Sequence, residues 1–309
     1  MACTWHWSQS YFCVLFLAIL FRVKAATTTE EKIKQHGYPV EMHKIVTEDG
    51  YVLVLERIPH NRQSTEVGPP VLLLHGLFSI SISFTFNNSS LGYILSDAGY
   101  DVWLCNNRGV GPSKKHTRLT DNDTRYWDFS IEDVSWLISE LPNVVDTYNI
   151  PSQSFGHLSF VIHPDVKNLL NDYIVKLFIY SLFFSFQRML LDVMANYPHP
   201  MSTKILKHYL QSMTGKFSHF DYGPNMNLVR YSSRVPPKYN LSQILTPTIV
   251  IHSEGDTLVP PKDVSWLINE LPNVVDTYNI PSQSFGHLSF VIHPDVKNLL
   301  NDYIVAFLI

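Results

Sequence analysis

Residues 131–175 repeat residues 261–305 at an offset of 130, and only positions 131, 132 and 139 differ from their partners. Near identity over that length constrains the fold more than any other feature. Each position in a packed domain has its own neighbours, so old structural repeats drift apart as their contexts differ. A recent copy is the simpler reading. The second copy follows a short apolar run ending in Ser253-Glu254-Gly255-Asp256, where its surroundings make chemical sense. The first follows Trp127-Asp128-Phe129-Ser130. We therefore read 131–175 as the intruder, brought in by exon duplication or by an error in assembling the gene.

Composition limits what the remainder can be. A 309-residue chain with 45% hydrophobic and 16% charged residues suits one large α/β domain or two small ones around a sizeable core. The formal net charge of -4, with no run of Lys or Arg, gives nucleic-acid binding nothing to rest on. The 14 His are scattered, without His-Glu-x-x-His or Cys-x-x-Cys spacing, so neither a metal site nor a cofactor is expected.

Tyr11 to Phe21 is an unbroken apolar run followed by Arg22, with Ala25 and Ala26 as a cleavage point. This predicts a signal peptide over 1–25 and a mature domain over 26–309. Eleven apolar residues are too few to span a bilayer. Cys3 and Cys13 lie in that leader, which leaves Cys105 alone and no intrachain disulfide. Asn87, Asn88, Asn122 and Asn240 each open an N-x-Ser/Thr triplet and fit a glycosylated export product.

Thr27 to Gln35 reads as a short capped helix, and Glu41 to Arg57 as a hairpin turning at Asp49-Gly50. Pro70–Leu74, Tyr100–Cys105 and Thr248–Ile251 are short apolar runs of the kind buried parallel strands show. Alternation with helical stretches predicts a mostly parallel sheet with crossover helices. Ser202 to Met213 carries an apolar face of Ile205, Leu206, Tyr209, Leu210 and Met213. The aromatic run Leu177–Phe186 reads as core, or as a lipid-facing part of a cap.

Several stretches resemble the acid lipase family, which covers lysosomal, gastric and insect digestive lipases. They are Gly37-Tyr38-Pro39-Val40-Glu41, Val46 to Tyr51, Arg57-Ile58-Pro59, Leu72 to Leu77, Ala98 to Leu104, Asn107-Arg108-Gly109, Lys207-His208-Tyr209, Asp221-Tyr222-Gly223 and Pro236 to Leu241. The resemblance covers residues 33–130 and about 188–305. It implies an α/β-hydrolase fold, here with a truncated helical cap whose remnant spans about 177–215. It also implies hydrolysis of triacylglycerols or steryl esters, a lipid ester or fatty acid as ligand, contact with a lipid interface, and a secreted (extracellular or gut lumen) or lysosomal location. Oligomeric state is not implied.

In that fold the triad runs Ser, Asp, His along the chain, with the serine in Gly-x-Ser-x-Gly on a strained strand-to-helix turn. The motif does not occur in this chain. The family places it some tens of residues after Trp127-Asp128-Phe129, where the intruding copy stands. Ser154, in Ser152-Gln153-Ser154-Phe155-Gly156, has small flanking residues. The same five residues recur at Ser282–Gly286, however, and Tyr148–Ser152 supplies no buried strand leading in. Ile251 is too bulky for Ser253 to sit on an elbow, and Cys105 reads as inert packing.

Asp256 matches the family's acid, which orients the imidazole and stabilises the imidazolium. His287, in Gly286-His287-Leu288-Ser289-Phe290, matches its general base, with Ser289 where the family has an acidic residue. His157, the copy of His287, is read as non-catalytic. Leu77 is expected to give its backbone N–H to the oxyanion hole. The second donor is the residue after the nucleophile and is lost with it.

Overall fold

The computed structural model describes residues 27–130, 199–212, 217–245, 247–259 and 261–308. The expected leader, the first copy of the repeat with Ser154 and His157, and the run Leu177–Phe186 lie outside the described residues. Of the expected cap remnant, 199–212 is described.

Thr28 caps helix α1 (Thr29–Gln35): its hydroxyl accepts from the Glu31 N–H, and the Glu31 carboxylate accepts from the Thr28 N–H at 2.9 Å. Strands β1 (Glu41–Val46) and β2 (Tyr51–Ile58) then pair antiparallel, from Glu41 opposite Arg57 to Val46 opposite Val52. The turn passes through Gly50 at φ 102°, a region that glycine enters without a side-chain clash. Strand β3 (Pro70–Leu74) leads through a 3₁₀ turn (Ser81–Phe84) and helix α2 (Leu91–Asp97) to β4 (Asp101–Asn106), and β3 and β4 pair in parallel. The short strand β5 (Lys115–His116) pairs with β2, giving a five-stranded sheet of order β1-β2-β4-β3 with β5 to one side.

Helices α3 (Thr203–Ser212) and α4 (Pro224–Tyr231) precede a second sheet. There β6 (Thr248–His252) crosses through α5 (Pro261–Glu270) to the parallel strand β7 (Val274–Asn279). A short helix α6 (Ser289–Ile292) and a π turn (Lys297–Asn301) lead into α7 (Asp302–Leu308).

Strand periodicity sorts the core into two faces. Tyr51, Leu53, Leu55 and Cys105 pack with Tyr126, Phe129, Ile205 and Tyr209. Ile58, Leu73, Val102 and Leu104 pack with Ile33 of α1, with Leu91, Tyr93 and Leu95 of α2, and with Ile304, Val305 and Leu308 of α7. Ile304 also packs on the cluster of Ile251, Ile280, Phe285, Val296 and Leu300, so the last helix joins the two sheets.

Among the described residues the strand pairing is mixed. Pairings β1–β2, β2–β4 and β2–β5 are antiparallel, while β3–β4 and β6–β7 are parallel. The hairpin joins the sheet through β2, whose residues are buried on both faces, and so becomes an inner strand. Val274–Asn279, identical in sequence to Val144–Asn149, is a strand, though a mostly exposed one and not the buried strand that an elbow needs. Its exposed Val275, Asp276 and Thr277 hide it from any search for an apolar run.

Among the described residues, β3 pairs only with β4 and β6 only with β7. Each sheet therefore ends in an apolar strand with no described strand on its outer side.

Candidate active site

The acid turn is built from Ser253 to Val259. The Asp256 N–H donates to the Ser253 carbonyl at 3.1 Å. One Asp256 carboxylate oxygen accepts from the Leu258 and Val259 N–H groups at 2.9 and 3.2 Å. The other faces His287 Nδ1 at 2.8 Å. The Asp256 side chain is 5% exposed and that of His287 13%, so the pair is shielded from bulk water. Such a contact fixes the imidazole tautomer with its proton on Nδ1.

Ser253, weighed in the sequence only as an elbow serine, and Gly255 bring the two loops together. The Ser253 hydroxyl, buried, donates to the Phe285 carbonyl at 2.8 Å and accepts from the Gly255 N–H at 3.1 Å. It is therefore a brace, not an elbow serine. A Cβ on Gly255 would lie 2.4 Å from the Gln283 carbonyl oxygen and 2.9 Å from that of Phe285, so only glycine lets the turns approach this closely. Ser289, in place of an acidic residue, begins α6 directly after the His287 loop.

The loop expected to form the oxyanion hole leaves the C-terminal end of β3. His75 is buried; its Nδ1 lies 2.7 Å from the Gly76 carbonyl and its Nε2 3.1 Å from the Asn107 N–H. A carbonyl only accepts and an N–H only donates, so the ring is neutral with its proton on Nδ1. Burial, with the nearby His199, brings its pKa down to about 4, against the bond to Gly76. Leu77 packs against the Tyr51–Phe129 cluster and lines a small cavity with His75, Phe78 and Asn107. Phe78 holds φ at 56°, a strained value for a side chain of that size. Its carbonyl accepts from the His199 N–H at 3.0 Å. No residue-type signal in the sequence marks that strain.

A cavity of about 240 Å³ is bordered by both groups: Leu74, His75 and Gly76 on one side, Asp256 and His287 on the other. Its body is apolar, with Phe84, Leu91, Val264 and Ile304 among its walls. Leu74 at the end of β3 and Val250, Ile251 and His252 of β6 are in its lining. Cys105 is fully buried and burial pushes its thiol well up, the opposite of an activated nucleophile. Ser284, the counterpart of Ser154, is exposed with its hydroxyl 3.1 Å from that of Ser282. Asn88, Asn122 and Asn240 are exposed, and Asn87 is half-buried. Among the described residues, no group of His, Cys, Asp and Glu has the arrangement of a metal site, and no helix is long and apolar enough to cross a membrane.

Two sequence families match the chain: one described as a partial alpha/beta-hydrolase lipase region, over residues 29–88, and one described as the alpha/beta hydrolase fold, over residues 69–153. Among curated proteins, Lipase 1 of Drosophila melanogaster is 29% identical, covering 88% of this chain and 77% of its own. Gastric triacylglycerol lipase of Bos taurus is 28% identical, covering 98% of this chain and 96% of its own. The human gastric triacylglycerol lipase is 27% identical, covering 89% of each. The bovine alignment runs over 387 residues against a chain of 309, so parts of that relative have no counterpart here.

Proposed function

The chain belongs to the acid lipase family of α/β-hydrolases, an ester hydrolase family, and from that membership we propose that it keeps the acid and base of a serine lipase while lacking the nucleophile. The family-level reaction is hydrolysis of carboxylic esters of apolar lipids. A serine attacks the ester carbonyl while the imidazole takes its proton; the acyl group passes to the serine, and water releases it in a second step. Asp256 and His287 are assigned the acid and base roles, and Leu77 one oxyanion donor.

The absence of Gly-x-Ser-x-Gly anywhere in the 309 residues carries the proposal. Losing one oxyanion donor costs about 100- to 1,000-fold in turnover. Losing the nucleophile costs on the order of a million-fold in serine proteases. The second loss alone puts turnover near background. The test is hydrolysis of a long-chain ester by the purified protein beside His287→Ala. Equal, background rates are expected; clear turnover abolished by the substitution overturns the proposal.

A second reading is lipid binding without turnover, and the apolar cavity beside His287 favours it. A fatty acid or ester bound in that space stabilises the folded state by mass action and raises the melting temperature. If nothing fills the space, the chain is a mis-assembled product that unfolds broadly, without cooperativity. Secreted or lysosomal location and glycosylation at the exposed asparagines belong to the same proposal.

A further inference from the structure

Glu56 is a buried acid that the reaction does not use. It sits on β2 opposite Leu104 of β4 and is 2% exposed. Its carboxylate accepts from Asn106 Nδ2 at 2.6 Å and bonds to the Ser81 hydroxyl. The same Asn106 accepts from the Ser81 N–H at 3.1 Å through its side-chain oxygen. The Ser81 hydroxyl lies 2.8 Å from that of Thr29. Thr29, Ser81 and Asn106 are all buried. One carboxyl group therefore links three pieces of chain: the first residue of α1, the end of β4, and the turn that follows the oxyanion loop.

Among the described residues, the charge that acts on it does not compensate a carboxylate. From α1 the acting charge is another acid, Glu30, which disfavours ionisation. Lys32, on the same helix, is buried but is not among the groups that act on Glu56. From β4 the titratable neighbour is Cys105, which burial keeps as a neutral thiol. The turn Ser81–Phe84 carries no titratable side chain. On β2 itself, Arg57 is bonded to Asp101 and Glu41.

We infer that Glu56 is a proton-controlled tie: protonated, it locks α1, β4 and the turn behind the oxyanion loop together; ionised, it draws water in and loosens that junction. A carboxylic acid can donate to the Ser81 oxygen while Ser81 donates to Thr29, so every group keeps a partner without a buried charge. A carboxylate only accepts, and it carries a charge that none of the described groups acting on it neutralises. Burial raises the group from 4.5 to about 7, against the bonds from Ser81 and Asn106 that pull it down. A raised acid contributes stability that is complete below 4.5 and is lost as pH rises through about 7.

The test is amide hydrogen exchange of the full chain between pH 4.5 and 7.5, corrected for intrinsic rates, beside Glu56→Gln. In wild type, protection over residues 79–84 and 27–36 is expected to fall about 100-fold across that range. The amide mimics the neutral acid, so Glu56→Gln should remain flat. If it keeps the wild-type slope, the inference is overturned. Should the variant not fold, wild type decides: a fall confined to those two segments, with β6 and β7 unmoved, supports the tie. Unchanged protection there, or an equal fall in β6 and β7, overturns it.

Discussion

His287 Nδ1 stands 2.8 Å from Asp256 Oδ2, while the other carboxylate oxygen of Asp256 is held by two backbone N–H groups. The Asp256 carboxylate is thus held on both oxygens by bonds within these two loops. Loss of the pair should register in stability, not in turnover. His287→Ala leaves a buried carboxylate oxygen without its donor, and Asp256→Asn turns an acceptor into a donor facing other donors. Each should cost about 1–3 kcal/mol in urea denaturation, with ester hydrolysis unchanged from background.

Gly255→Ala forces the acid turn and the His287 loop apart, because the new Cβ meets two backbone carbonyls. Backbone cannot yield as a flexible side chain does. A loss of about 1–3 kcal/mol is expected, with a displaced His287 ring resonance in NMR. An unaltered melting curve and an unmoved resonance would contradict this packing.

His75 gives a pH dependence opposite in sign to that of Glu56. Its folded value is depressed from 6.5 to about 4. Its contribution is present above 6.5 and is lost as pH falls through 4. His75→Gln, with an amide in place of the ring, should flatten the acid limb of the stability curve between those values. Thermal melts at half-unit pH steps check the sign directly.

Cys105 should be unreactive. Its thiol is fully buried and held protonated. In protein beginning at Ala26, an aromatic disulfide reagent should titrate no thiol under native conditions and one in denaturant. Fast native labelling would argue against the packing around β4.

Much of the fold was legible because its signals are local. The Asp49-Gly50 turn set the hairpin register, the capped helix read from Thr27 is α1 with Thr28 as its cap, and the apolar runs at Pro70, Tyr100 and Thr248 are strands. Asp256 and His287 were legible as types in sequence context, and the fold brings them within hydrogen-bond reach. What stayed hidden depends on distant neighbours. Glu56 alternates along β2 as an exposed residue would, and only the cover of α1 and the Ser81 turn buries it. Strand β7 has a largely polar, exposed sequence and owes its existence to pairing with β6. Gly255 matters because of carbonyls some thirty residues away in sequence.

The central claim is that this chain carries no activated serine, and the most direct measurement is labelling with a fluorophosphonate, read by intact mass. The reagent phosphonylates serines whose hydroxyl is activated by a neighbouring base. The purified chain is expected to keep its unmodified mass under conditions that label an active serine lipase completely. A single adduct, mapped to Ser154 or to any other serine and abolished by His287→Ala, would contradict the claim and restore a working triad.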